Sequence, residues 1–269
     1  MPKRPISGTT RLYAVLGDPV AQVKAPGLLN PLFDRLGLDA VLVPVHTRPE
    51  NLADTVRGLR CVENLHGLLF TVPHKAAARA LADTVSATVA VTGTANAMRR
   101  EPDGGWHADN FDGSGFVRGL CEAGHRPAGR RVSLIGAGGA GSAIAVGLLT
   151  AGVKRLSVYD PDTPRLSALL AQLERHWPGR SAATTPQALE DAEIVVNATP
   201  LGMRPQDPLP LSPARLAPSC VVADIIMKPH ETALLRAAAA QGHEVHHGIH
   251  MLEQQIDSYR EFFGLRPVI

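Results

Sequence analysis

Arg131-Val-Ser-Leu-Ile-Gly136-Ala137-Gly138-Gly139-Ala140-Gly141-Ser-Ala-Ile-Ala-Val146 is the stretch on which the reading of the fold turns. A short apolar run with β-branched residues feeds a G-x-G-x-x-G turn, and a helix-forming run follows. In that context Gly136 permits the tight strand-to-helix turn, Gly138 lets a pyrophosphate approach the backbone, and Gly141 lets helix and strand pack closely. The helix N-terminus then offers N–H groups and partial positive charge to phosphates. An ordinary βα turn is the plainer alternative, but strand and helix both lie where dinucleotide binding needs them. The turn residues Gly136, Ala137, Gly138, Gly139, Ala140 and Gly141 are therefore candidate cofactor contacts.

The end of the next strand bears on which nucleotide is bound. Lys154 to Tyr159 reads as that strand, and Asp160 closes it. An aspartate there can accept both hydrogen bonds from an adenosine ribose and repels a 2′-phosphate. Asp162 adds a second negative charge, and Arg165 is the one close cation. The expectation is NAD in preference to NADP. As plain structure, the two aspartates are loop residues, with Asp162 capping a helix.

The chain has 269 residues, enough for one large domain or two modest ones, and a formal net charge of +2. Its basic residues are scattered, which argues against a nucleic-acid partner. Met1-Pro-Lys-Arg-Pro5 is followed by no apolar signal core, and no apolar run is long enough for a membrane span. Cys61, Cys121 and Cys220 have no disulfide or zinc-site spacing. A cytoplasmic protein acting on a small molecule is expected, as a monomer or homodimer.

Strand and helix signals alternate. Leu12–Leu16, Ala40–His46 and Gly67–Thr71 read as strands, and Leu28–Leu36, Glu50–Arg60 and Lys75–Ala82 as helices. A second run from Arg131 continues through Arg155–Tyr159, Ala192–Asn197 and Cys220–Ile226, and Leu252–Phe263 reads as a last helix. The alternation predicts two α/β units with parallel sheets and crossover helices. Residues 122–130 read as an exposed connection. Because the cofactor turn comes late, the first unit should hold the substrate.

Further motifs occur in order: Gly17-Asp-Pro-Val-Ala-Gln-Val-Lys-Ala-Pro26, Thr71-Val-Pro-His-Lys75, Gly93-Thr-Ala-Asn96, Asp109-Asn-Phe-Asp112-Gly-Ser-Gly115, Asn197-Ala-Thr-Pro-Leu-Gly-Met203 and Gly248-Ile-His-Met-Leu-Glu-Gln-Gln255. Together with the glycine turn they resemble the shikimate dehydrogenase family, including its quinate/shikimate branch, over nearly the whole chain. The resemblance implies an N-terminal α/β substrate domain and a Rossmann-like nucleotide domain, with the active site in the cleft between them. It places the substrate domain at 1–112, joined by a C-terminal helix at 249–269, and the nucleotide domain at 113–248. By resemblance, Lys75 is the catalytic lysine and Asp112 its partner, while Thr71, Asn96 and Gln255 hold ring hydroxyls. Thr199 and Met203 border the cofactor.

The chemistry follows from the reaction itself. Oxidising a secondary alcohol requires removal of the hydroxyl proton as hydride departs. A lysine can take that proton where its surroundings favour the neutral amine, with a hydrogen-bonded carboxylate to orient it and relay the proton. Standing alone, Lys75 would read as a solvated lysine at a helix start and Asp112 as an N-cap. Asn96 and Thr71 would read as turn and strand residues. The joint motifs favour the catalytic reading.

The departures from the family are informative. A His-Ser-x-Ser-Pro pattern usually holds the substrate carboxylate; here Gln22, Val23 and Ala25 stand instead. The tyrosine of an Asp-x-x-Tyr motif is Met227, and Phe111 replaces a threonine. Val23, Ala25 and Met227 would line the carboxylate end without a hydroxyl. Each lost charge-assisted hydrogen bond costs on the order of 1.5–3 kcal/mol. An Asn-Arg-Thr pattern that accompanies NADP is here Asp160-Pro-Asp162, as in the NAD-using branch. Three readings follow: a dehydrogenase for a secondary alcohol on a hydroxylated ring other than shikimate, a shikimate/quinate dehydrogenase with a compensated carboxylate site, or a non-catalytic nucleotide sensor. Retention of Lys75 and Asp112 argues against the sensor. The histidines 243, 246, 247 and 250 surround Gly248 and have no carboxylate or cysteine set, so no metal is expected.

Overall fold

The computed structural model describes residues 5–267; the N-terminal residues 1–4 read above for a targeting signal lie outside it. The chain divides into two compact units, one formed by the residues up to Phe111 together with those from Gln255 onward, the other by Asp112–Gln254.

The first unit is built on strands β1 (Arg11–Gly17), β2 (Ala40–His46), β3 (Leu65–Phe70), β4 (Thr84–Val85), β5 (Ala97–Arg100) and β6 (Trp106–Asp109). Helices α1 (Ala25–Arg35), α2 (Leu52–Arg60), α3 (Lys75–Arg79) and α4 (Ala87–Thr92) connect them. The sheet order is β2-β1-β3-β5-β6-β4. β1 pairs parallel with β2 and β3, as crossover helices require, and its buried apolar run Tyr13–Leu16 is that of a strand covered on both faces.

The expectation of an all-parallel sheet is corrected here. β5 runs antiparallel to both β3 and β6. Between β5 and β6 the cause is local: residues 101–105, Glu-Pro-Asp-Gly-Gly, form a turn in which Glu101 N–H donates to Gly105 O and Gly104 N–H to Glu101 O, so the chain doubles back without a helix. Leu16, Leu68, Met98 and Trp106 fill the core beneath.

The second unit carries α5 (Asp112–Glu122), β7 (Arg131–Ile135), α6 (Gly139–Thr150), β8 (Arg155–Tyr159), α7 (Thr163–His176), β9 (Ser181–Ala183), β10 (Ile194–Asn197), β11 (Val221–Asp224), α8 (Ala233–Ala239), β12 (Val245–His246) and α9 (Ile249–Glu253). Its sheet is wholly parallel in the order β12-β11-β10-β7-β8-β9. This is the order of a doubly wound dinucleotide-binding sheet, whose direction of winding reverses between β7 and β10. Ligands bind beyond the strand carboxyl ends at such a reversal, and the glycine turn leaves β7 there.

The single last helix expected over Leu252–Phe263 is two. α9 ends at Glu253, and α10 (Ile256–Phe262) starts after Gln255, whose backbone caps it. Tyr259, Phe262 and Leu265 are buried in the first unit, and Phe263 meets Tyr13 edge-on with ring centroids 5.1 Å apart. Among the described residues no helix is long and apolar enough to cross a membrane.

Candidate functional site

In the first unit the loop after β3 delivers Thr71 and Lys75. Thr71 is half-buried and its N–H donates to Leu16 O at 2.9 Å, tying it to the end of β1. His74, 1% exposed, bonds through Nε2 to Thr47 O at 2.7 Å, and its N–H donates to Thr71 O. The next residue, Lys75, opens α3, and its carbonyl accepts from Ala95 N–H at 2.8 Å. A buried histidine thus fixes the backbone of the candidate catalytic lysine. The sequence reading missed that role; a histidine directly before the lysine was the signal available.

Asn96 is buried where the chain enters β5. Its Oδ1 accepts from Phe111 N–H at 3.0 Å, and its Nδ2 lies 3.3 Å from both Gln255 Oε1 and Tyr259 Oη. Tyr259 Oη donates to Gln255 Oε1 at 2.5 Å. Asn96 and Gln255, far apart in sequence, are therefore brought together, and Tyr259 joins them unannounced by any motif. Phe111 meets the Tyr259 ring edge-on at 5.6 Å and the Phe262 ring at 5.2 Å. In the loop after β1, Val23 is half-buried and Ala25, the first residue of α1, is 7% exposed. Neither carries a hydrogen-bonding side chain.

In the second unit the glycine turn has the conformation that its sequence demands. Gly136 adopts φ +107°, and a Cβ there would lie 2.8 Å from the Ala198 carbonyl; one at Gly141 would lie 2.1 Å from Gly136 O. A Cβ at Gly138 would meet nothing within 4 Å, so open space stands over the turn where a pyrophosphate would approach. Gly138 caps α6, with Gly139 and Ala140, both half-buried, in its first turn, and Ala137 is buried behind. These features fit a dinucleotide.

Thr199 and Met203 flank the far side of the reversal. Thr199 donates through Oγ1 and N–H to Asn197 Oδ1 at 2.7 and 3.0 Å, and Met203 is 40% exposed. Asn197 Nδ2 donates in turn to Asp224 Oδ1, while Thr232 Oγ1 donates to Asp224 Oδ2 at 2.8 Å. Burial lifts the Asp224 carboxyl to about 6, against the pull of its hydrogen bonds from Ile226 N–H, Thr232 and Asn197. Met227, three residues on, is half-buried. Asp112 opens α5 and is 2% exposed.

Among the histidines, His243 bonds to Pro213 O, His246 packs against His250, His125 and Phe116, and His247 stacks on His230. No group of three or more His, Cys, Asp or Glu among the described residues could hold a metal ion.

The family model described as "Shikimate dehydrogenase substrate binding domain" matches residues 15–98, and "NADP oxidoreductase coenzyme F420-dependent" matches residues 131–219. The Shikimate dehydrogenase (NADP(+)) of Rubrobacter xylanophilus is 38% identical, over 97% of this chain and 94% of its own. A crystal structure of shikimate dehydrogenase in complex with NADP+ superposes with a TM-score of 0.89 at 26% identity, covering 100% of this chain and 95% of that one. The ligand-free 5-ketofructose reductase of Gluconobacter sp. strain CHM43 superposes with a TM-score of 0.82 at 27% identity, over 97% and 95%.

The preference for NAD is corrected by these names, which carry NADP. The physical error lies at Asp160. Its carboxylate is 6% exposed and turned inward, Oδ2 accepting from Ala137 N–H at 2.7 Å and Oδ1 from Asp162 N–H at 2.8 Å. Arg165, half exposed, pairs with Asp160 at 3.6 Å and with Asp162 at 2.9 Å. The negative charge assumed to repel a 2′-phosphate is thus spent on the turn and countered by a guanidinium. From the residues matched and the length of chain covered, this protein belongs to the shikimate dehydrogenase family of oxidoreductases.

Proposed function

We propose that the protein is an NADP(H)-dependent dehydrogenase acting on a secondary alcohol of a hydroxylated ring that lacks the carboxylate of shikimate. The observation that carries the choice of substrate is the pairing of a retained amide pair, Asn96 with Gln255, with Val23 and Ala25 in the loop after β1. The name 5-ketofructose reductase, given to a protein of the same fold, supports a family pocket serving a substrate without a carboxylate. A second reading, shikimate or quinate as substrate, is favoured by the names of the curated relatives.

In this reading the turn Gly136–Gly141 holds the pyrophosphate, Arg165 the 2′-phosphate, and Thr199 and Met203 border the nicotinamide end. The nicotinamide ring, when bound, supplies or accepts the hydride. Lys75 takes the hydroxyl proton during oxidation and returns it to the forming alkoxide during reduction, with Asp112 as its relay. Thr71, Asn96 and Gln255 orient the ring hydroxyls, and Val23, Ala25 and Met227 give its other end apolar walls. Exposed cysteines at 61 and 121, without partners of disulfide spacing, support a cytoplasmic site of action.

The test is NADP+ and NAD+ reduction with shikimate, quinate and a panel of carboxylate-free cyclic polyols, including cyclohexane-1,2,3-triol. Turnover is expected on a carboxylate-free member with NADP+, and Lys75→Ala should lower kcat by about 10²–10⁴-fold. Shikimate turned over with a KM well below that of every polyol would establish the second reading instead.

A further inference from the structure

Asn197 and Asp224 are the last residues of β10 and β11, paired in register on neighbouring strands, and both are buried. A backbone N–H can only donate, so the Thr199 N–H at 3.0 Å identifies the Asn197 atom facing it as Oδ1. The same oxygen accepts the Thr199 hydroxyl at 2.7 Å. The amide nitrogen has two hydrogens, and they meet two acceptors: Leu201 O at 3.1 Å and Asp224 Oδ1 at 3.2 Å. Two bonds received and two donated use the whole capacity of the amide. Asp224 is fixed in turn by Ile226 N–H on Oδ1 and by Thr232 Oγ1 on Oδ2.

The loop that leaves β10 is wrapped on this amide. Thr199 Oγ1 gives its proton to Asn197 and accepts the Leu201 N–H at 3.1 Å, so residues 197, 199 and 201 are tied together at one strand end. On one flank the loop sits against the glycine turn: a Cβ on Gly136 would lie 2.8 Å from the Ala198 carbonyl and 3.1 Å from the Thr199 methyl. On the other flank a Cβ on Gly202, at φ +113°, would lie 3.3 Å from Ile226 Cδ1 and 3.5 Å from Thr232 Cβ. The loop therefore fills the space between the turn after β7 and the segment after β11.

We propose that Asp224 is a positioning residue for the cofactor: through the Asn197 amide it holds residues 198–203 against the glycine turn, in the shape that receives the nicotinamide end of NADP+. The inference rests on the reading of Thr199 and Met203 as residues that border that end. Asp224 is enclosed and touches no ligand itself; Asn197 carries its effect to the loop. With its hydroxyl proton committed to Asn197, Thr199 serves the cofactor by bracing the loop rather than by donating a hydrogen bond to it.

The experiment titrates NADP+ and adenosine 2′,5′-bisphosphate into the full chain and its variants by calorimetry. The bisphosphate carries the adenosine end of the cofactor without the nicotinamide, and so offers the loop nothing to hold. Asp224→Ala should raise the Kd of NADP+ by about ten- to hundredfold and that of the bisphosphate by less than about twofold. Thr199→Val keeps a methyl beside Gly136 and should raise the NADP+ value by about two- to tenfold. The double variant should lose less than the product of the two separate factors, because both changes act on one network. Asp224→Asn keeps an acceptor toward Asn197 and should stay within about threefold of the wild type. Should Asp224→Ala fail to fold, Asp224→Ser, whose hydroxyl is too short to reach Asn197, takes its place. Four results would overturn the proposal: an equal loss of affinity for both probes, a double variant that loses the full product, an Asp224→Asn as weak as Asp224→Ala, or unchanged NADP+ affinity in Asp224→Ala while Met203→Ala weakens it. Met203, which is exposed, tests the underlying reading. If Met203→Ala leaves NADP+ affinity unchanged, the loop does not border the cofactor, and the role of Asp224 falls with that reading.

Discussion

Asp224 and His246 end neighbouring strands of the second unit, and burial displaces both from their ordinary titration ranges, in opposite directions. Asp224 is lifted from 3.8 to about 6, so the folded protein holds a proton there that the unfolded chain releases. The resulting stabilisation is full below about pH 4 and is lost as pH rises through 6. His246 is lowered from 6.5 to about 4, by burial first and then by the positive charges of His250, His125 and His247. Its neutral form is the folded form, so its contribution is full above pH 6.5 and is lost as pH falls toward 4. Between pH 4 and 6 the two trends oppose. His246 Nε2 also has no hydrogen-bond partner among the described residues, so His246→Phe removes an unsatisfied polar atom beside Phe116. The variant should match or exceed the wild type at pH 7, and exceed it by a further ~2 kcal/mol at pH 4.5, in urea midpoints compared at the two pH values. Equal pH dependence of the two proteins would show that His246 is not the group being charged.

At the scale of elements, α5 and α6 approach backbone to backbone. A Cβ at Gly113 would lie 2.1 Å from Ala143 O, and one at Gly147 would lie 2.6 Å from Gly113 O. No side-chain rearrangement relieves a clash with backbone, so Gly113→Ala must push the helices apart. It should cost at least ~2 kcal/mol, read as a fall in thermal midpoint. Gly27→Ala in α1, where a Cβ meets nothing within 4 Å, should be neutral or stabilising by up to ~1 kcal/mol. The same distinction between local and remote causes explains what was legible in the sequence. The strand-turn-helix around Gly136–Gly141 could be read because its determinants are contiguous, and the same holds for the parallel strands with their crossover helices. The β5–β6 hairpin escaped because its strands are only four residues each and carry no long alternating run. Tyr259 escaped because Asn96, one of the residues that give its hydroxyl a purpose, lies 163 positions away. The cofactor reading erred for a related reason: residue type at Asp160 was legible, but the inward turn of its carboxylate was not.

Across the whole molecule, the first unit depends on residues from both ends of the chain. α10 and the turn after it bury Tyr259, Phe262 and Leu265 in that unit, each worth roughly 1.5–3 kcal/mol as buried apolar surface. Their sum approaches the net stability of an ordinary domain. Deleting residues 255–269 should therefore melt the first unit, with loss of near-ultraviolet circular dichroism from Tyr13 and Trp106, while the second unit still binds NADP+ in a calorimetric titration. A truncated chain that keeps its full aromatic signal would contradict this. The discontinuity also has a consequence during synthesis. A ribosome releases the first 111 residues, then the 143 residues from 112 through 254, before the segment that completes the first unit appears. At about 5–20 residues per second, that wait lasts roughly 7 to 30 seconds. The part of the first unit up to Phe111 is thus translated well before the segment that completes it, its apolar interior open to chaperones until α10 leaves the exit tunnel.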